Sequence, residues 1–216
     1  FNLFANQAQM EIFEQYFYDI NQFKRVPGNS TEYSDIVGML EEKISAFEKF
    51  KIAPSSVSGN VLTLPSDLHR LGTVFSTLVT SNPVFEKVDK KNLQLILNSP
   101  LTAPTDSRPV FIHQAPTAAG VSQIKIFPAA SSYSTGNTSV NYIKKPATVK
   151  WTYVVINDKA VHNSGAADLQ NFELHESEES ELVIKILQLA GISIKDYQLA
   201  SVASNKEVST ISQEKQ

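Results

Sequence analysis

Residues 139–155 read SVNYIKKPATVKWTYVV: two β-rich runs separated by Lys144-Lys145-Pro146, the second holding the only tryptophan, Trp151. Proline has no N–H to give to a β-ladder, so it stands at an edge, a strand end or a bend. Two strands joined through it cannot both be interior. Further strand candidates at 61–64, 71–80, 84–88, 110–113, 123–127 and 172–174 accompany 139–144 and 151–156, most of them separated by Pro, Gly, Ser and Asn clusters. Parallel crossovers need helices between strands, so this spacing predicts an antiparallel sheet or small sandwich. Residues 71–80 (LGTVFSTLVT) are β-branched and long enough for a central strand, residues 131–138 read as a hairpin tip, and Asn157-Asp158 as a tight turn.

Helices flank the sheet. Over residues 2–23, Ala5, Ala8, Ile12, Phe13, Tyr16, Phe17, Ile20 and Phe23 recur at three- and four-residue spacing, one helical face. A stripe this aromatic must bury against a helix, the sheet or another subunit. Pro27-Gly28-Asn29-Ser30 is loop chemistry, and Asn29 or Ser30 can cap a second helix over 31–50 with Tyr33, Val37, Leu40, Ile44 and Phe47 inward. The pair predicts an antiparallel helical hairpin. At 54–60 the composition turns to Ser, Pro and Gly and the apolar period drops from near four to two, marking a change of architecture. Asp89 is placed to cap a two-turn helix over 90–97. After 174, His175-Glu176-Ser177-Glu178-Glu179-Ser180-Glu181 piles acid at a helix start, where it complements the dipole. Gly191 suits a left-handed C-cap, Ile192 and Ile194 a short link, and Asp196 a cap for a last helix through Leu199, Val202, Val208 and Ile211, ending in a polar tail expected to fray. The predicted class is α+β in three parts: an N-terminal helical hairpin (1–53), an antiparallel β domain with a short helix (60–174) and a C-terminal helical segment (175–216).

The chemistry that composition allows is narrow. A net charge of −3 does not supply the clustered Lys and Arg that grip phosphate. With no cysteine, disulfides, thiolate metal sites and a cysteine nucleophile are excluded. No apolar run approaches the roughly 18 residues of a membrane helix, and the start at Phe1 within a helical pattern leads one to expect upstream residues. His69, His113, His162 and His175 lie on separate elements without metal-binding spacing, and no phosphate loop or nucleophile elbow is present. Glu173, Glu176, Glu178, Glu179 and Glu181 read as dipole partners, since a metal cage needs oxygens that converge. Asp67-Leu68-His69-Arg70 sets a carboxylate near an imidazole with no nucleophile motif beside it. Lys144-Lys145 reads as an edge guard. Catalytic residues, a metal and a cofactor are therefore not expected.

Three stretches carry a resemblance. FNLFANQAQMEIFEQYFYDINQF is similar to the N-terminal helix of many tailed-phage virion proteins, where it usually follows a short segment missing here. LTLPSDLHRLGTV together with VNYIKKPATVKW resembles the Leu-Pro-Ser-Asp strand start and the Tyr-Ile-x-x-Pro-x-x-x-x-Trp block of phage structural and adaptor-type proteins. FELHESEESELVIKILQLAGISIKD resembles the C-terminal helix of the same proteins in crAss-like phages, which infect gut Bacteroidales. The resemblance spans the beginning, middle and end of the chain, and rests on the order and joint presence of blocks that are individually unspecific. It implies a virion protein of the head-to-tail region: a cyclic homo-oligomer, twelve-fold, docked on the portal protein or a neighbouring tail ring, with double-stranded DNA passing through without sequence-specific binding. It carries over no catalytic residues.

A closed ring uses a head-to-tail interface, so each copy needs two different faces. One is assigned to the N-terminal hairpin through Phe13, Tyr16 and Phe17, and the other to residues 192–208 through Ile192, Ile194, Tyr197, Leu199 and Val202. The five glutamates between 173 and 181, facing the axis, would line the passage with carboxylate. The alternative reading is a carbohydrate- or receptor-binding module of a tail appendage. Against it, Trp151 is expected mid-strand and in the core.

Overall fold

The two ends of the chain build one unit and the middle builds another: residues 1–46 and 146–216 form the first, residues 47–145 the second. The computed structural model describes residues 1–25, 31–77, 82–129, 133–194 and 197–214. In chain order the elements are α1 (Asn2–Arg25), α2 (Thr31–Ser45), β1 (Glu48–Ile52), β2 (Ser56–Ser58), β3 (Val61–Thr63), β4 (Leu68–Ser76), β5 (Glu86–Lys87), α3 (Lys90–Asn98), β6 (Val110–Gln114), β7 (Gln123–Phe127), β8 (Thr138–Lys144), β9 (Tyr153–Ile156), β10 (Lys159–His162), a 3-10 turn (Glu176–Glu178), α4 (Glu179–Ile194) and α5 (Tyr197–Glu214). The class is α+β.

In the middle unit, β1-β8-β4 form a three-stranded sheet and β2-β3-β7-β6-β5 a five-stranded one. All pairings are antiparallel except β5 with β6. Alternate residues of each strand face one way, so Ile124 and Ile126 of β7 and Val140 and Tyr142 of β8 turn inward with Leu62, Leu64, Val74, Phe85, Phe111 and Tyr133 to make one shared core. Each such aliphatic or aromatic side chain, fully buried, contributes about 1.5–3 kcal/mol. The result is a small sandwich.

The central strand of the smaller sheet is β8, the run that precedes Lys144-Lys145-Pro146. Residues 71–80, long enough for a central strand, supply β4 as far as Ser76; it ends the three-stranded order, with Phe75 bridged to Val84 on its far side, and 78–81 lie outside the described residues. Both neighbours of β8 shift register beside Asn141. On β1, Lys51 takes a φ of 55° and donates its N–H to Asn141 Oδ1 at 2.8 Å. On β4 the shift falls between Leu71 and Val74, where Gly72 lies so close to the chain that a Cβ would stand 2.9 Å from the carbonyl oxygen of Asn141. Bulges of this kind bend the strand and raise its local twist.

Other expectations give way locally. The second helix ends at Ser45, because 48–52 pair with β8 rather than continuing the helical stripe. Of the expected hairpin tip 131–138, residues 131 and 132 lie outside the described residues; the flanking strands β7 and β8 belong to different sheets. Asp89 occupies the N-cap position of α3 but makes no side-chain capping bond. Residues 172–174 form no strand; the bridge there joins Lys150 to Gln170.

In the unit built from the chain ends, α1 packs against α2 and α4 and buries Ala5, Ala8, Ile12, Phe13, Tyr16 and Phe17. An extended segment, 147–151, lies along its flank and is held by amides. Asn2 accepts from the Trp151 N–H at 2.9 Å and donates to its carbonyl at 3.3 Å. Asn6 does the same for Val149, at 2.6 and 3.0 Å. Gln9, fully buried, donates to the Ala147 carbonyl at 2.8 Å and accepts from the Glu173 N–H. Three side chains thereby stand in for a neighbouring strand on the edge that faces α1, while Lys150 pairs with Gln170. The pitches allow it: two-residue steps of extended chain advance about 6.6 Å, and three- or four-residue helical steps about 4.5–6 Å.

Gly191 does not end α4 but lies buried within it, so Ile192 and Ile194 belong to its last turn. The helix α5 runs on to Glu214, past the point where fraying was expected; Asp196, and Asn29 and Ser30, lie outside the described residues. Lys185, nine residues before the end of α4, pairs with Glu207, ten residues into α5, at 3.1 Å. Nearly equal distances from the residues between them make α4 and α5 a helical hairpin. The β9–β10 ribbon belongs to this unit, not to the β domain expected to reach 174, and β1 lies in the middle unit, so the sequence-based boundaries 1–53, 60–174 and 175–216 do not coincide with the structural ones.

Candidate interaction surfaces

Phe13, Tyr16 and Phe17, expected to face another copy, are buried inside their own unit, and Phe13 meets Phe17 edge-on at 5.1 Å. Their cover comes from within the chain, so the aromatic stripe is core. The Tyr16 hydroxyl is shielded from solvent without a hydrogen-bond partner, and burial together with the nearby Glu178 and Glu181 charges pushes its pKa up. Of the second expected face, Ile192, Ile194 and Val202 are exposed, Ile194 at 71%. The side chains of Tyr197 and Leu199 lie outside the described residues.

Two apolar surfaces stand out in the unit built from the chain ends. The first is the β9–β10 ribbon, in which every residue is exposed although Tyr153, Val154, Val155, Ile156 and Val161 are large and apolar. Asn157 and Asp158 turn it with φ of 50° and 59°, the left-handed pair that suits the twist of a two-residue hairpin. Its root is pinned. Trp151 stacks on Tyr153 at 5.6 Å and on His162 at 5.9 Å, Phe1 meets the indole edge-on, and Thr152 and Asn163 extend the ladder by one pair. Trp151 therefore stands half-buried just before β9, not mid-strand in a core. Nothing in residue type distinguished a ribbon from an interior strand here; only the absence of a covering layer does.

The second surface is the open side of the α4–α5 hairpin, a groove lined by Val183, Leu187 and Val202 with Glu179 and Lys206 at its rim. The glutamate series is mostly consumed nearby. Glu178 is buried in an ion pair with Lys43, and Glu181 and Glu207 flank the buried Lys185. Glu173 accepts from the Ala147 N–H at 2.8 Å. Of the five expected to line a passage, only Glu176 and Glu179 are exposed. A buried pair such as Lys43–Glu178 is weak support for stability as such, but removing one partner strands the other charge at about 3–5 kcal/mol.

The histidines have local employment. His175 caps the 3-10 turn by accepting from the Ser177 N–H, and His162 stacks on Trp151 with Nδ1 3.2 Å from the Thr152 carbonyl. Burial, then Lys87 and Lys90, lowers the pKa of His113. Asp67 accepts from the Tyr142 hydroxyl at 2.9 Å, and burial with that bond and the Asp67 charge pushes the tyrosine up to about 12. Among the described residues no three acidic or histidine side chains converge as a metal cage would require, and none of their helices is long and apolar enough to cross a membrane. Neither family models nor curated proteins give a match for this chain. What the geometry offers, among the described residues, is the two exposed apolar surfaces of this unit.

Proposed function

We propose that the chain is a structural subunit of a tailed-phage virion, forming a homo-oligomeric ring in the head-to-tail connector or tail barrel that links capsid to tail and surrounds the DNA passage. It acts by binding copies of itself and adjoining virion proteins, not by catalysis. The observation that carries this reading is the β9–β10 ribbon: a stiffly rooted arm with apolar residues on both faces is costly to leave in water, and two-stranded ribbons are marginal alone. The order of the three stretches that resemble crAss-like phage ring proteins supplies the setting. Light-scattering mass of the full chain, alone and with the candidate portal protein, tests it. A multimer in either sample is expected, and a monomer in both removes the reading.

A second reading, a carbohydrate- or receptor-binding module, draws on the half-exposed position of Trp151 beside Tyr153. A glycan array separates the two: sugar binding lost in Trp151→Ala without loss of thermal stability favours the module.

A further inference from the structure

The arm and the groove lie in one unit, and each leaves apolar side chains uncovered. Strand alternation divides the arm. Tyr153 and His162, then Val155 and Ala160, share the face that Trp151 covers at its root; Val154 and Val161, then Ile156 and Lys159, share the other. On that second face Val154 and Val161 are each 46% exposed and Ile156 55%. The groove presents Val183, Leu187 and Val202, with Glu179 one helical turn before Val183. The arm thus carries three apolar side chains with a cation directly across from the outermost, Ile156, and the groove three with an anion one turn beyond Val183. Spacing agrees for the apolar step: Val154 and Ile156 are about 6.6 Å apart along the arm, and Leu187 and Val183 about 6 Å along the helix.

We propose that the arm of one copy lies in the α4–α5 groove of the next, Lys159 against Glu179, Ile156 against Val183, and the Val154–Val161 pair against Leu187 and Val202. This deepens the assembly reading above and rests on it. The two faces differ, so the contact is head-to-tail and closes into a ring when the rotation allows.

Because the chain has no cysteine, introduced thiols report contacts without background. The full chain carrying Ile156→Cys is mixed with a mass-tagged full chain carrying Val183→Cys and oxidised. Docked thiols meet at an effective concentration near the millimolar range, so the mixed disulfide is expected about tenfold above a control. The control pairs Ile156→Cys with Leu101→Cys, a fully accessible site in the other unit. Adding Lys159→Glu to the first chain lowers the yield, and Glu179→Lys on the second restores it. Mixed dimer at the control level overturns the contact. So does Ile156→Cys linking chiefly to itself, which would set arm against arm, or a doubly substituted chain that closes only within itself. Val154→Cys with Leu187→Cys repeats the test should either first variant fail to fold. Wild-type mass keeps the two proposals apart: multimers without the mixed disulfide leave assembly standing and remove this contact, and monomers with control-level linkage remove both.

Discussion

Asn6 shows how one side chain can decide where a segment lies. Its amide closes both backbone groups of Val149, a buried residue; Asn2 does the same for Trp151 at one end, and Gln9 at the other takes the Ala147 carbonyl and the Glu173 N–H. Asn6→Ala leaves a buried N–H and carbonyl without partners, and the expected cost is about 1–3 kcal/mol, read as a lower urea midpoint at unchanged slope. Gln7→Ala, which removes only an exposed contact to Glu11, should stay within about 0.5 kcal/mol. Equal midpoints for the two variants would contradict the assignment. The aromatic stripe of α1 was legible from its spacing, but this amide series was not, because Asn and Gln on a helix flank read as solvent-facing. The available signal was that the uncharged Asn2, Asn6 and Gln9 fall within the same helical face as the stripe while Glu11 and Glu14 occupy exposed positions elsewhere.

At the level of elements, strands with one face covered were readable and those without were not. In β7 and β8 alternate residues are buried, so period two shows directly in the residue types. The β9–β10 ribbon has the same composition and no layer on either side, and β1 lies where a helical stripe could equally have continued through Phe47. Which strand is central also escaped the sequence, since it depends on what pairs with β8. That strand's position rests on a close approach at Gly72. Gly72→Ala would press a methyl group onto the Asn141 carbonyl of β8, and overpacking of this kind costs about 1–3 kcal/mol. Thermal unfolding should show the loss, whereas Gly38→Ala, where an added Cβ meets open space within α2, should stabilise slightly. A Gly72→Ala protein as stable as the wild type would mean that β4 is free to move off β8.

For the molecule as a whole, the middle unit has its own core and neighbouring ends: the Lys144 N–H donates to the Phe47 carbonyl at 2.9 Å, and Glu48 pairs with Ile143. A fragment of residues 47–145 should therefore unfold in one cooperative transition, measured by circular dichroism in urea; a gradual slope would show that it depends on the rest of the chain. The other unit is discontinuous, and that has a consequence during synthesis. When α1 leaves the ribosome, the segment that completes its amide series is still more than a hundred residues away, a wait on the order of ten seconds at common translation rates. For that interval a newly made aromatic helix has α2 beside it but not α4 or the segment 147–151, while the sandwich condenses behind it, which makes the nascent chain a client for holding chaperones and slow synthesis over residues 47–145 a hazard to its yield.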